Sequence, residues 1–81
     1  MQIAISVIMS QKTIWKIQYF GLCINEFARK YRLKPQIAHN YLQKYKGLQF
    51  LQDNYEVEHT LALDDTIHSL HKVCAYNGGT L

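Results

Sequence analysis

The longest helical pattern in this chain lies in residues 10–31, which read SQKTIWKIQYFGLCINEFARKY. Apolar residues recur there at steps of three and four, as one face of an α-helix requires. These residues are Ile14, Ile17, Gly21, Ile24, Ala28 and Tyr31, and Trp15, Phe20, Leu22, Cys23 and Phe27 widen the face. A helix that is apolar over so much of its circumference is covered from several sides. We therefore predict that this helix is central to the core, with Ile24 buried at its midpoint.

A second helix is predicted directly after the first. Ser10 can cap the first helix, which ends at Tyr31, and Pro35 suits the first position of the second. The second helix should run to Lys46 and end at Gly47, because glycine adopts a positive φ without a steric penalty.

Two more helices and a connector complete the predicted fold. A third helix begins at Leu48, and residues 56–63 then alternate in polarity, which favours an extended connector. Asp64 and Asp65 open the last helix, where a carboxylate can cap free amides. Residues 77–79 end that helix, and the two terminal residues should fray. The prediction is an all-α bundle of four helices with a short extended connector before the last one.

Length and composition indicate one small domain. The chain has 81 residues and is 48% hydrophobic, which is enough for a core, and we place the domain at residues 10–79. Residues 1–9 are apolar but shorter than the ~20 residues of a membrane span, so no membrane contact is predicted. They are predicted to be a frayed or extended N-terminal extension. Cys23 and Cys74 lie far apart among apolar residues, which predicts reduced core thiols in a cytoplasmic protein.

The charge is distributed unevenly along the chain. Up to Lys46 there are eight basic residues and one acidic residue, and from Gly47 onward there are one basic and five acidic residues. Such a chain can present a basic face to nucleic acid or to an acidic protein. The alternative is that the two halves attract each other within the fold.

Chemical motifs are weak throughout the sequence. His68, His71 and Cys74 recur at steps of three, but each step on a helix rotates by about 60°, so they do not converge on one ion. Asp64 and Asp65 are the only adjacent acids, and helix capping already explains them. No Gly-rich phosphate loop and no nucleophile elbow occurs in the sequence. We therefore predict a protein that is not an enzyme and holds no cofactor or metal.

Residues 27–38 read as helix, short turn and second helix, a pattern typical of helix-turn-helix DNA-binding proteins. Polar side chains that can read bases would lie on the outer face of the second helix: Gln36, His39, Asn40, Gln43 and Lys44. Basic side chains around the turn could contact phosphates: Arg29, Lys30, Arg32 and Lys34. A transcriptional autoregulator is therefore the alternative function.

The aromatic content favours a protein partner. Six tyrosines and one tryptophan are many for so small a core, so some should be partly exposed. Tyrosine, tryptophan and arginine dominate the energetics of protein interfaces. We predict partner contacts at Arg29, Arg32, Tyr41, Lys44 and Tyr45.

Residues near the predicted connector have a different predicted role. An extended segment leaves backbone groups that need hydrogen-bond partners. We predict that Tyr55, His59 and Thr60 are structural, and that His59 and Thr60 pin the connector to the bundle. A role in partner contact is the alternative for His59 and Thr60.

Four runs of the sequence resemble a family of small bacterial helical domains of unknown function. They are FGLCINEFARKY at 20–31, AHNYLQKY at 38–45, FL at 50–51 and YEVEHTLALDDT at 55–66. The resemblance covers about residues 12–78. In that family the gene often lies beside one for a toxin-like protein with an ADP-ribosyltransferase-type fold. The resemblance thus implies a non-enzymatic interaction module, as antitoxin or accessory partner of such a toxin, with self-association as a further option.

Overall fold

Four helices account for most of residues 10–81, which are the residues that the computed structural model describes. They are α1 (Gln11–Tyr31), α2 (Pro35–Lys44), α3 (Gly47–Glu58) and α4 (Leu63–Tyr76). No strand occurs within this described part, and the predicted all-α fold of four helices is confirmed. The prediction for residues 1–9 lies outside the described residues.

The ends of α1 follow from local chemistry. The Ser10 hydroxyl accepts a hydrogen bond from the Thr13 amide at 3.2 Å, so the predicted N-cap is confirmed. At the other end Arg32 adopts a left-handed conformation with φ 58°. The Leu33 amide donates to the Ala28 carbonyl at 2.8 Å, which closes the reverse turn that usually carries a glycine.

The core lies where α1 meets the three shorter helices, and α1 contacts all of them. Its buried residues are Cys23, Phe27 and Ala28 of α1, Ala38 and Leu42 of α2, Leu51 of α3, and Ile67, Leu70 and Cys74 of α4. Both cysteines are fully buried and unpaired, as predicted for core thiols.

The predicted face of α1 is partly wrong. Ile24 is only half-buried and packs at the edge of the core, whereas Phe27 is fully buried. Trp15, Ile17 and Leu22 are each more than half exposed. Length explains the exposure of Trp15 and Ile17, because 21 residues of helix span about 31 Å and the other helices span only about 15–21 Å. Leu22 is adjacent to the buried Cys23 and lies on the outer side of the helix. Apolar residues lie all round α1, and the sequence pattern alone did not distinguish the covered face.

The corner between α2 and α3 differs from the prediction. The helix α2 ends at Lys44, Lys46 takes the positive φ of 72°, and Gly47 is the first residue of α3. Gly47 is buried, and a Cβ there would lie 2.8 Å from Leu42 Cδ2 and 3.2 Å from Cys74 Sγ. The glycine therefore permits close approach of three helices rather than a left-handed turn.

The predicted extended connector is also wrong. Residues 56–58 continue α3, and only a tight turn at residues 59–62 separates α3 from α4. Tyr55 and Glu58 are both buried one helical turn apart, so burial follows the helical period and not the alternation of the sequence. The helix α4 begins at Leu63 without a side-chain cap, and Asp64 and Asp65 lie in its first turn. Their carboxylates thus complement the helix dipole but do not cap it.

The C-terminal residues are ordered on the bundle and do not fray as predicted. Gly78 has φ 101°, and the Gly79 amide donates to the Cys74 carbonyl at 2.8 Å, which closes the end of α4. The Leu81 amide then donates to the Tyr41 hydroxyl at 3.2 Å. The tail is thereby fixed to α2.

Two glycine substitutions should have opposite effects on stability. Gly47→Ala forces a Cβ against Leu42 and Cys74, and overpacking of this kind costs about 1–3 kcal/mol. Gly21→Ala is the matched control, since a Cβ there meets nothing within 4 Å and alanine is the better helix former by up to about 1 kcal/mol. Urea unfolding of both variants measures the difference. Equal stability of the two alanine variants would contradict the close approach at Gly47.

Arg32→Gly should stabilise the domain. A residue with a Cβ pays about 1 kcal/mol in the left-handed region, and glycine does not. A gain of about 0.5–1 kcal/mol corresponds to a rise of a few degrees in the melting midpoint of a domain of this size. Lys72→Gly, at an exposed position within α4, should instead lose about 1 kcal/mol. A melting midpoint for Arg32→Gly at or below that of the natural chain would refute the strain at this corner.

Candidate interaction surfaces

The residues predicted to contact a partner lie in two regions. Arg29 and Arg32 are exposed at the end of α1. Tyr41 and Tyr45 are half-buried on α2 and its end, with ring centroids 4.8 Å apart, and the Lys44 ammonium lies 5.3 Å above the Tyr45 ring. The structure thus brings three of the five together at the end of α2, and the two arginines make no contact of this kind with them.

Tyr41 is largely occupied within the domain. Its ring stacks on Phe27 with centroids 5.9 Å apart, and its hydroxyl accepts the hydrogen bond from Leu81. Gly79 packs so closely that a Cβ there would lie on the Tyr41 hydroxyl. Its contacts therefore give Tyr41 a structural role, and Lys44 is the more exposed member of the α2 group.

The basic residues at the end of α1 are mostly without acidic partners. Arg29 pairs with Glu26 one turn earlier on α1. Lys30, Arg32 and Lys34 form no salt bridge with any residue in 10–81. This turn is therefore a basic surface open to solvent.

Only one salt bridge joins the basic and acidic halves among the described residues. The Lys12 ammonium lies 2.9 Å from a carboxylate oxygen of Glu56. The hydrogen bond and the charge attraction between the two side chains raise the pKa of Lys12 and lower the pKa of Glu56. Both side chains are exposed, where an ion pair adds little to stability. This ion pair thus contributes little to the stability of the fold.

The predicted helix-turn-helix exists as local structure, with a turn at residues 32–34 between α1 and α2. Gln36, Asn40, Gln43 and Lys44 are exposed on α2, and His39 is half-buried with an unpartnered Nδ1. The Gln36 amide donates to Asn40 Oδ1 at 3.1 Å. A base contact by either side chain would compete with that bond.

His59 and Thr60 form hydrogen bonds, but with local partners. His59 Nδ1 lies 2.7 Å from the Tyr55 carbonyl oxygen, and the Thr60 hydroxyl donates to the Val57 carbonyl at 2.7 Å. The His59 ring also stacks on the Tyr55 ring, with centroids 4.6 Å apart. The two hydrogen bonds stay within the end of α3, whereas the His59 ring also lies edge-on to the Tyr19 ring of α1, with centroids 6.5 Å apart.

A different residue, Thr66, connects the helices by polar contacts. The Tyr19 hydroxyl of α1 donates to the Thr66 hydroxyl at 3.2 Å, and the Thr66 hydroxyl donates to the Glu58 carbonyl of α3 at 3.3 Å. Thr66 is fully buried, so this bridge joins α1, α3 and α4 in the interior. The sequence carries no local signal for it, because its partners are distant along the chain.

Burial raises the pKa of three groups in and around the core. It raises the pKa of the Tyr19 hydroxyl to about 12 and that of the Cys23 thiol to about 11. It also raises the pKa of the Cys74 thiol to about 11. At neutral pH these thiols are therefore protonated, and burial keeps them from acting as nucleophiles.

A groove runs between α1 and α3, and we name it the α1–α3 groove. It consists of two adjoining depressions of about 330 and 360 Å³ that share Phe20 and Gln52. Its remaining lining residues are Thr13, Lys16 and Ile17 on α1, Gln43 near the end of α2, Lys46 at the corner before α3, and Leu48 and Gln49 in the first turn of α3. Phe20 and Leu48 are half-buried, so the floor is apolar, and the walls carry amides and ammonium groups.

Within residues 10–81, no three His, Cys, Asp or Glu side chains are grouped closely enough to hold a metal ion. None of the four helices combines the length and apolar character that crossing a membrane requires.

Comparison with known protein families gives one match. The family model described as "Protein of unknown function (DUF3791)" matches residues 18–77. The chain belongs to the DUF3791 family. The match confirms the resemblance to a family of unknown function, and it includes α2, α3 and α4 with the last two-thirds of α1. Neither the curated proteins nor the solved structures give a significant match to this DUF3791 chain.

The stability of this DUF3791 domain should fall at alkaline pH. In the unfolded chain cysteine and tyrosine titrate near pH 8.5 and about 10. In the fold Cys23, Cys74 and Tyr19 bind their protons more tightly, with pKa values of about 11, 11 and 12. The contribution of these protonated groups to the free energy of unfolding is therefore fully present below about pH 8.5. It is lost as pH rises through the pKa values that the groups have in the folded state.

Urea unfolding between pH 7 and 11 measures this loss. Cys23→Ala and Cys74→Ala should each make the decline with pH shallower, because each removes one such proton. Tyr76→Phe changes a tyrosine that is 91% exposed and serves as the control, with an unaltered decline. A decline that is the same in the cysteine variants as in the natural chain would contradict the assignment.

Proposed function

We propose that this DUF3791 domain is a non-enzymatic protein-interaction module. The observation that carries the proposal is the exposure of three large apolar side chains on α1. Trp15 and Ile17 are each 56% exposed, and Leu22 is 53% exposed. Trp15 and Leu22 are seven residues apart and share one side of α1, whereas Ile17 lies about 160° away around the helix. Fully burying a side chain of this size is worth about 1.5–3 kcal/mol, so a partner that covers Trp15 and Leu22 gains substantially.

The proposed partner is the toxin-like protein with an ADP-ribosyltransferase-type fold that the family resemblance implies. In that arrangement the domain acts in the cytoplasm as the antitoxin or an accessory partner of the toxin. Trp15 and the exposed Arg29 and Arg32 have the side-chain types that dominate protein interfaces. Association of two copies through the same apolar side chains is the alternative within this function.

DNA binding is the second candidate function, supported by the basic turn after α1. Arg32 and Lys34 are exposed there, and Gln43 and Lys44 are exposed on α2. The support is weaker, because Lys44 is the only Lys or Arg within α2. In addition, the side-chain amides of Gln36 and Asn40 on α2 are hydrogen-bonded to each other. A transcriptional autoregulator would use this face, whereas the apolar side chains of α1 would stay uncovered.

Two binding measurements distinguish these functions, one with the toxin-like protein and one with promoter DNA. The full chain should bind an ADP-ribosyltransferase-like protein encoded beside its gene, and Trp15→Ala should weaken the complex by about 10–100-fold, as loss of an interface hot spot does. Tyr76→Ala, at an exposed aromatic residue on α4, should leave the affinity unchanged. Isothermal titration calorimetry gives both values.

The duplex formed by the promoter DNA of the gene serves as the competing ligand in the same buffer. Affinity for DNA falls steeply with salt because counterions are released, whereas an apolar protein interface is much less sensitive. Tight, salt-sensitive binding of the promoter DNA, with no binding of the toxin-like protein, would contradict the proposed interaction module and favour the autoregulator.

A further inference from the structure

The α1–α3 groove is lined by two lysines, and two carboxylates lie close to its lining residues. Asp53 Oδ1 accepts a hydrogen bond from the amide of Gln49 at 2.9 Å. The hydrogen bond from Lys12 and, to a lesser extent, the charge of Lys16 lower the pKa of Glu56.

None of the residues that line the groove is acidic, and Lys16 and Lys46 are its two charged residues. Neither lysine forms a salt bridge in the described part of the chain. The Lys16 ammonium lies 5.3 Å above the Tyr55 ring, so it is held near the groove by the aromatic face.

The groove also has apolar surface that a ligand can cover. Ile17 is 56% exposed, and Phe20 and Leu48 are half-buried in the floor. Gln52 lies where the two depressions meet, and its amide can donate and accept hydrogen bonds. The lining is thus complementary to a ligand that has apolar side chains in the middle and carboxylates near the two lysines.

The position of the groove between two helices favours a helical ligand. The residues from Thr13 to Phe20 that line it extend over about 10 Å along α1, which is about two turns of a bound helix. Apolar residues at i, i+3, i+4 and i+7 of an amphipathic helix recur over this distance, as in other grooves that bind helices. Residues 10–81 contain no sheet edge to which a strand could be added.

We infer that the α1–α3 groove binds an acidic amphipathic helix of a partner protein. The apolar stripe of that helix covers Ile17, Phe20 and Leu48, and its flanking carboxylates pair with Lys16 and Lys46. Nucleic acid fits this groove less well, because a phosphate backbone would cover the apolar floor without apolar groups of its own. The inference rests on the proposed function, since it names the surface and the partner chemistry that an interaction module would use.

The test uses two synthetic helical peptides of about four turns with the same leucine stripe. One has glutamates beside the stripe and the other has lysines. Each peptide is titrated into the isotope-labelled full chain, and amide chemical shifts are followed. The glutamate peptide should perturb the residues that line the groove and bind about tenfold or more tightly than the lysine peptide.

A charge-reversed variant tests the role of the two lysines. Lys16→Glu combined with Lys46→Glu should invert the preference, so that the lysine peptide binds more tightly. Loss of folding cannot produce such an inversion. Lys30→Glu combined with Lys72→Glu is the matched control, because both lysines are exposed, lie outside the groove and form no salt bridge in residues 10–81. The control should keep the original preference.

Several results would overturn the inference. They are equal affinity for the two peptides, shifts centred on the basic turn after α1, no binding up to about 1 mM, and a preference that the charge reversal leaves unchanged. Binding of a DNA duplex in the groove would likewise overturn it. If the toxin-like partner binds and Trp15→Ala weakens that complex while the peptides fail, the groove assignment falls and the proposed function stands. If both measurements fail, both proposals fall.

Discussion

The apolar face of α1 must be buried, and the only elements that the described chain offers for it are three much shorter helices. They cover the second half of α1, where Cys23 and Phe27 are fully buried. They leave Trp15 and Ile17 of the first half largely exposed. This mismatch in length accounts for the position of the core and for the exposure of Trp15 and Ile17. Leu22 is exposed for another reason, because it lies on the outer side of α1 beside the buried Cys23. The mismatch also explains why the α1–α3 groove opens alongside the first half of α1.

The features that could be predicted from the sequence are those that local chemistry determines. The hydroxyl of Ser10 and the ring of Pro35 act on their own helix ends, so both helix starts were predicted correctly. Gly47 was misinterpreted because its neighbours Leu42 and Cys74 come from other helices. The connector was misinterpreted because the helical burial of Tyr55 and Glu58 appears only when α3 packs on the bundle.

The candidate site was less predictable than the fold for the same reason. Tyrosine is a residue type that is common in interfaces, but within the domain Tyr41 already contacts Phe27 and the C-terminal tail. The exposure of Trp15 depends on where the shorter helices end, which no short motif encodes. Thr66 joins three helices through partners that are distant in sequence, and only the packed structure brings them together.

The half-exposed position of Trp15 has a spectroscopic consequence, because it is the only tryptophan of the chain. Because more than half of the Trp15 side chain is exposed, its emission reports chiefly on what happens at this surface of α1. The buried ring of Tyr55 and the half-buried ring of Tyr19, whose centroids lie 5.5 Å apart, report on the interior instead. The chain thus carries two separate optical signals, one for its outer surface and one for its core.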